Sequence, residues 1–146
     1  DISGYISIAR EANYDSVGGF YKIQNTNGAV IDPITGNLIT PGTDGYSTAS
    51  LDISNLFTGY GTLSTTNNTS ITNTLSAFSD AEMLAPYATI SNTGETFFSF
   101  AAANSDGLTH FRSFGSGVIG LVDLKGGGDQ DFDDLIIGFD FQLGSV

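Results

Sequence analysis

Cysteine is absent from the 146 residues. That excludes disulfides, thiolate catalysis, zinc ribbons and iron–sulfur clusters together, and it is compatible with an exposed, oxidising environment. Basic residues are scarce: four Lys and Arg stand against sixteen Asp and Glu, a net charge of −12. Phosphate recognition needs clustered Lys and Arg, so the balance argues against nucleic acid as a partner. An anionic membrane surface repels such a chain, and no run approaches the roughly 18 apolar residues of a membrane span. The natural counter-charges are metal ions, without which so acidic a chain repels itself. The first residue is Asp1 rather than Met, which reads as a mature, processed chain or an excised domain.

Only 14% of the residues are charged, while 40% are apolar and 12% aromatic. That is too apolar for a disordered chain and long enough to bury a core as one domain, residues 1–146. Ser, Thr, Asn and Gly must supply the polar surface, a composition common in secreted β proteins.

The apolar residues fall in short alternating runs. "DISGYISIA" (1–9) alternates Ile2, Ile6 and Ile8 with small polar residues, and "GGFYKIQN" (18–25) leads into the turn "NTNG" (25–28). "AVIDPITGNLIT" (29–40) holds two short runs joined by turn formers, Asp32 before Pro33 among them, and "PGTDG" (41–45) is a further turn. In "DLIIGFDFQL" (134–143), Leu135, Ile137, Phe139, Phe141 and Leu143 share one face. "TGETFFSFAAAN" (93–104) reads as a single strand, followed by strands in 108–115 and 116–124. One helix is predicted over 46–57, capped by Thr43 or Asp44, with Ala49, Ile53, Leu56 and Phe57 on one face. A second helical turn is predicted over 79–84, between Asp80 and Pro86. Residues 61–77 read as a hairpin with its tip at Asn67-Asn68, or as a loop. Many short strands with one short helix predict an all-β fold, a β-sandwich or jelly roll.

The chemistry concentrates in "KGGGDQDFDDLIIGFDF" (125–141). Three glycines precede Asp129, Asp131, Asp133 and Asp134, and a buried-type strand follows. Uncompensated, such carboxylates raise one another's pKa and cost stability. Oxygens at alternate positions converge on one hard cation when the loop bends, and Ca²⁺ takes about 6–8 of them. Magnesium fits less well, because it keeps several waters. The segment is not an EF-hand: Asp134 stands where that loop needs Gly, and Asp140 lies about 20 Å further along an extended strand. Glu11, Asn13 and Asp15 alternate in "EANYDSVGGF" (11–20), and complete the same calcium site, form a second one, or are a solvated polar edge.

"VIGLVDLKGGGDQDFDDLIIGF" (118–139) resembles the C-terminal signature of the DUF4114 family. "VGGFYKIQNTNGAVIDPITGNLITPGTDGY" (17–46) and "FFSFAAANSDGLTHFRSFG" (97–115) resemble further family segments, whereas residues 58–80 do not obviously match. The resemblance implies an extracellular β domain of bacterial secreted or surface proteins, with calcium binding and no established enzyme activity. Carried over residue by residue, its acidic signature falls on Asp123, Asp129, Asp131, Asp133 and Asp134.

Other polar residues read as structural. Asn104, Asp106 and Asp44 sit in Asp-Gly turns and are turn formers rather than ligands. His110 is the lone histidine and no G-x-S-x-G elbow exists, so it is expected to pack or hydrogen-bond in a strand rather than catalyse. Arg112 is expected to pair with an Asp. Most tyrosines are expected to be half-buried.

The function expected is that of a secreted, calcium-binding, non-enzymatic β-sandwich with a structural or adhesive role. Its partners would be further copies of itself, in a homo-oligomer or polymer such as an extracellular fibre or matrix layer, and extracellular polysaccharide. The alternative is a calcium-dependent lectin.

Overall fold

The computed structural model describes residues 2–10, 16–57, 69–78, 83–113, 118–121 and 135–143. It is all-β, with two antiparallel, sandwich-like sheets, a small ribbon and one short helix. The first sheet contains β1 (Ile2–Arg10), β6 (Thr69–Phe78), β9 (Phe111–Ser113), β10 (Val118–Leu121) and β11 (Leu135–Leu143), in the order β6-β1-β11-β10-β9. The second contains β2 (Ser16–Ile23), β5 (Leu56–Phe57), β7 (Met83–Ile90) and β8 (Thr96–Phe98), in the order β5-β2-β7-β8. The chain therefore alternates between sheets, leaving the first after β1 and again after β6.

Register carries the sequence alternation across the first sheet. Ile8 pairs with both Ile71 and Ile137, and Ile137 with Ile119, so four isoleucines stand in one row. Ile6 pairs with Phe139 and Gly4 with Phe141, which puts the apolar positions of β1 and β11 on the same face. A slip of one residue would move every one of them to the opposite face.

The ribbon of β3 (Val30–Ile31) and β4 (Leu38–Ile39) is closed by the predicted Asp32 turn. Asp32 Oδ1 accepts from the Ile34 N–H at 2.9 Å, and its carbonyl accepts from the Gly36 N–H at 2.8 Å. Behind the ribbon lies an aromatic cluster around Tyr21, Val30, Tyr46, Ala49, Ala85 and Phe98. Tyr21 and Tyr46 meet Phe98 edge-on, with ring centroids 5.4 and 5.5 Å apart, the favoured arrangement of aromatic quadrupoles. The Tyr46 hydroxyl donates to the Gly28 carbonyl at 2.7 Å, leaving it to accept from Tyr21 at 2.9 Å.

Three predicted elements differ. The helix α1 runs only from Tyr46 to Ser50, starts at Gly45, and has no side-chain cap from Thr43 or Asp44. Asp52 ends it: its Oδ1 takes both the N–H and the hydroxyl of Ser54, a local bond that competes with helix. Asn55 Nδ2 then satisfies the Ala49 and Ile31 carbonyls, at 2.7 and 2.8 Å. Ile53 is consequently 75% exposed, and Leu56 and Phe57 pair with β2 as strand.

The second helical turn is overturned where it is described. Met83 and Leu84 open β7, paired with Ile23 and Lys22. Pro86 lies inside that strand, just beyond the Tyr87–Phe98 pair where β8 stops, so its missing N–H breaks no ladder on that side. The strand predicted over 93–104 ends at Phe98 and becomes a 3₁₀ turn at Ala101–Ala103. Of residues 61–77, those from Thr69 form β6 against β1; the Asn67-Asn68 tip lies outside the described residues.

Candidate functional site

The predicted calcium ligands Glu11, Asn13, Asp15, Asp123, Asp129, Asp131, Asp133 and Asp134 all lie outside the described residues. Their points of attachment are described. Arg10 at the end of β1 pairs with Leu135 at the start of β11, and Leu135 pairs with Leu121 at the end of β10. In sequence, residues 11–15 follow Arg10, and residues 122–134 join Leu121 to Leu135. Both acidic connections therefore attach to one row, Thr69–Arg10–Leu135–Leu121–Phe111. Neighbouring strands in such a row lie about 5 Å apart. Among the described residues, no group of three or more His, Asp or Glu side chains is placed to hold a metal.

The Asn104 and Asp106 turns do more than reverse the chain. The buried Asn104 amide accepts from the Phe98 N–H and donates to the Phe98 and Leu108 carbonyls. Asp106 Oδ1 accepts from the Leu108 N–H at 3.0 Å, and its Oδ2 takes His110 Nε2 at 2.7 Å. An ionised carboxylate only accepts, so Nε2 carries the proton in this contact. His110 is fully buried just before β9 and stacks on Phe97, with centroids 3.6 Å apart and planes 12° apart. This arrangement fixes the imidazole in place and keeps it out of solvent. Arg112 lies exposed on β9 opposite Gly120.

A cavity of about 440 Å³ opens between the start of α1 and the segments around Glu95 and Ser105. Thr43, Asp44 and Ser47 line one side and Glu95 and Ser105 the other. Ser105 Oγ sits 3.2 Å from each Glu95 carboxylate oxygen. Asp44 and the 103–107 turn are some sixty residues apart, and nothing in that spacing signals that they meet.

The sequence profile of a domain of unknown function, DUF4114, matches residues 43–142, more than two thirds of the chain. The chain belongs to the DUF4114 family. The match includes α1, the Asn104–His110 turn and the acidic connection of 122–134, and it runs through residues 58–80, where the sequence shows no obvious likeness to the family segments. The resemblance seen in 17–42 falls outside it. No curated protein and no solved structure matches this DUF4114 chain. Among its described residues, no helix is long and apolar enough to cross a membrane.

Proposed function

We propose that this DUF4114 domain is a secreted, calcium-binding β-sandwich with a structural or adhesive role, a self-assembling subunit of an extracellular fibre or matrix layer. The reading rests on one observation: the 122–134 connection, with five aspartates, and the 11–15 connection, with Glu11, Asn13 and Asp15, attach to adjacent ends of β10, β11 and β1. Ca²⁺ held there would fasten the start of β11, which is flanked by β1 and β10 in the first sheet. Carboxylates that repel one another in the free chain become ligands, so the ion stabilises the folded state by mass action. A net charge of −12 also makes association of copies unfavourable until cations bind. The non-enzymatic part of the reading is supported by the burial of His110, the lone histidine, against Asp106 and Phe97.

The test is thermal melting, light scattering and electron microscopy of the purified chain, in calcium and then in EGTA. A calcium-dependent rise in melting temperature together with filaments or sheets is expected. A stabilised lone monomer across millimolar calcium would remove the assembly role and favour the calcium-dependent lectin. No calcium effect on melting would reduce residues 129–134 to an acidic turn.

A further inference from the structure

The cavity beside α1 has a chemical character of its own. Two turns distant in sequence form it, and they are packed hard together: a Cβ on Gly42, whose φ is +89°, would come within 3.1 Å of the Ala102 carbonyl oxygen. Both walls are fixed from behind. Tyr46 is 3% exposed and bonds Gly28, and Asn104 holds the backbone of Phe98 and Leu108. A wall ordered before a ligand arrives spares the cost of ordering it on binding.

The lining is mostly hydroxyl and carboxylate, with small apolar surface at Ala102 and Ala103 and with no Lys, Arg or His among the lining residues. Asp44 is exposed and its carboxylate has no protein partner among the described residues. Glu95 is oriented by Ser105 across the opening. A sulfate, phosphate or uronate would meet two carboxylates and no base, so an anionic ligand is disfavoured. A calcium ion needs about 6–8 oxygens, and the two carboxylates here lie on opposite walls with one already engaged. What remains is a neutral ligand rich in hydroxyl donors. The volume lies within the roughly 300–1,000 Å³ of small-molecule sites.

We infer that this cavity binds a neutral saccharide, with the Asp44 and Glu95 carboxylates accepting from sugar hydroxyls and Ser47 and Thr43 completing the contacts. The site shares no residue with the acidic connections, so its ligand is held without calcium. It would attach the domain to a neutral matrix polysaccharide.

The test is amide-resonance titration of the full chain with cellobiose, lactose and chitobiose, and separately with glucuronate and CaCl2. Asp44→Ala and Ser47→Ala serve as variants, since both side chains are exposed and their loss should leave the fold intact. At least one neutral disaccharide is expected to shift resonances in 42–47 and 94–105. The shifts should persist in EGTA, and Asp44→Ala should weaken binding roughly tenfold, the loss of one charge-assisted hydrogen bond. The inference fails if no neutral disaccharide moves those resonances, if glucuronate binds more tightly than they do, or if CaCl2 alone moves them. Sugar binding that requires calcium and survives Asp44→Ala also overturns it, while leaving the calcium reading standing.

Discussion

The Asn104 carboxamide closes a ring on the backbone of Phe98, its Oδ1 accepting from the N–H at 2.7 Å and its Nδ2 donating to the carbonyl at 3.0 Å. One side chain thus occupies the place of a neighbouring strand. β8 is an edge strand, and its Phe98 backbone groups would otherwise be open to a foreign chain.

Asn104→Ala should therefore cost about 3 kcal/mol, because it leaves buried donors and acceptors unpaired rather than merely removing bonds. Asn104→Asp should do no better, since a carboxylate cannot donate to the Phe98 and Leu108 carbonyls. Urea denaturation gives the loss, and light scattering should reveal added self-association through the opened edge. Equal stability of both variants and wild type would mean the clip is ornamental.

Gly28 and Gly36 are expected to respond differently to the same change. Both have positive φ, +87° and +76°. A Cβ at Gly28 would lie 2.6 Å from the Phe100 ring, whereas one at Gly36 meets nothing within 4 Å. Gly36→Ala carries only the left-handed backbone cost, about 1 kcal/mol. Gly28→Ala adds displacement of a ring beside the core and should cost about 3 kcal/mol. Paired denaturation curves test the ranking.

Ser50 is fully buried, and its hydroxyl has no hydrogen-bond partner. It neighbours the Tyr46 hydroxyl but does not meet it in hydrogen-bonding geometry. Ser50→Ala keeps the helix and removes the unpaired group, so stability should rise by about 1 kcal/mol. A fall in the urea midpoint would show that the hydroxyl is satisfied in solution.

The long alternating strands were legible because a sheet with one apolar face writes its period into the chain. Ile6, Ile8, Ile137 and Phe139 are such positions, and register pairs them as the pattern implies. The apolar run from Phe97 to Ala103 carries no period, so strand and 3₁₀ turn look alike there; Asn104, whose capture of Phe98 helps end the strand, lies past the run. The predicted helix is longer than α1 because Ala49, Ile53 and Phe57 mimic a helical face, while the deciding bonds are donated by the Ser54 N–H to Asp52 and by Asn55 Nδ2 to the Ala49 carbonyl. The acidic connections were visible as composition; their common origin at the Arg10–Leu135–Leu121 row depends on strand order, which no local pattern encodes. The cavity was invisible for the same reason.

Burial pushes the Tyr21 hydroxyl far above its ordinary pKa, with Tyr46 adding to the shift, and burial raises Tyr46 and Tyr87 as well. A raised folded-state pKa gives stability that is complete below the unfolded value, about 10, and lost as pH climbs above it. Stability should accordingly fall above about pH 10, by up to roughly 1.4 kcal/mol per pH unit for each tyrosine that ionises only on unfolding. Tyr21→Phe should lose about 1 kcal/mol at neutral pH with its hydrogen bond, yet show a shallower alkaline decline. Urea midpoints from pH 8 to 11.5 measure both, and an unchanged slope would take Tyr21 out of the alkaline transition.

The common row of attachment sharpens the proposed calcium binding into a prediction: residues 11–15 and 129–134 should serve one ion. Asp15→Asn and Asp133→Asn should each lower the calcium-induced rise in melting temperature. At 100 times the dissociation constant that rise corresponds to about 2.7 kcal/mol, or on the order of 10 °C for a chain of this size. If the carboxylates share an ion, the first substitution already forfeits most of the effect and the double variant adds little, so the cycle is non-additive. Two independent ions would instead give losses that sum. The comparison must be repeated in EGTA, where removing either charge relieves repulsion among the remaining acids and each variant should equal or exceed wild type in stability. A double variant that melts as the sum of its parts in calcium would separate the two segments and leave the 129–134 aspartates to bind alone.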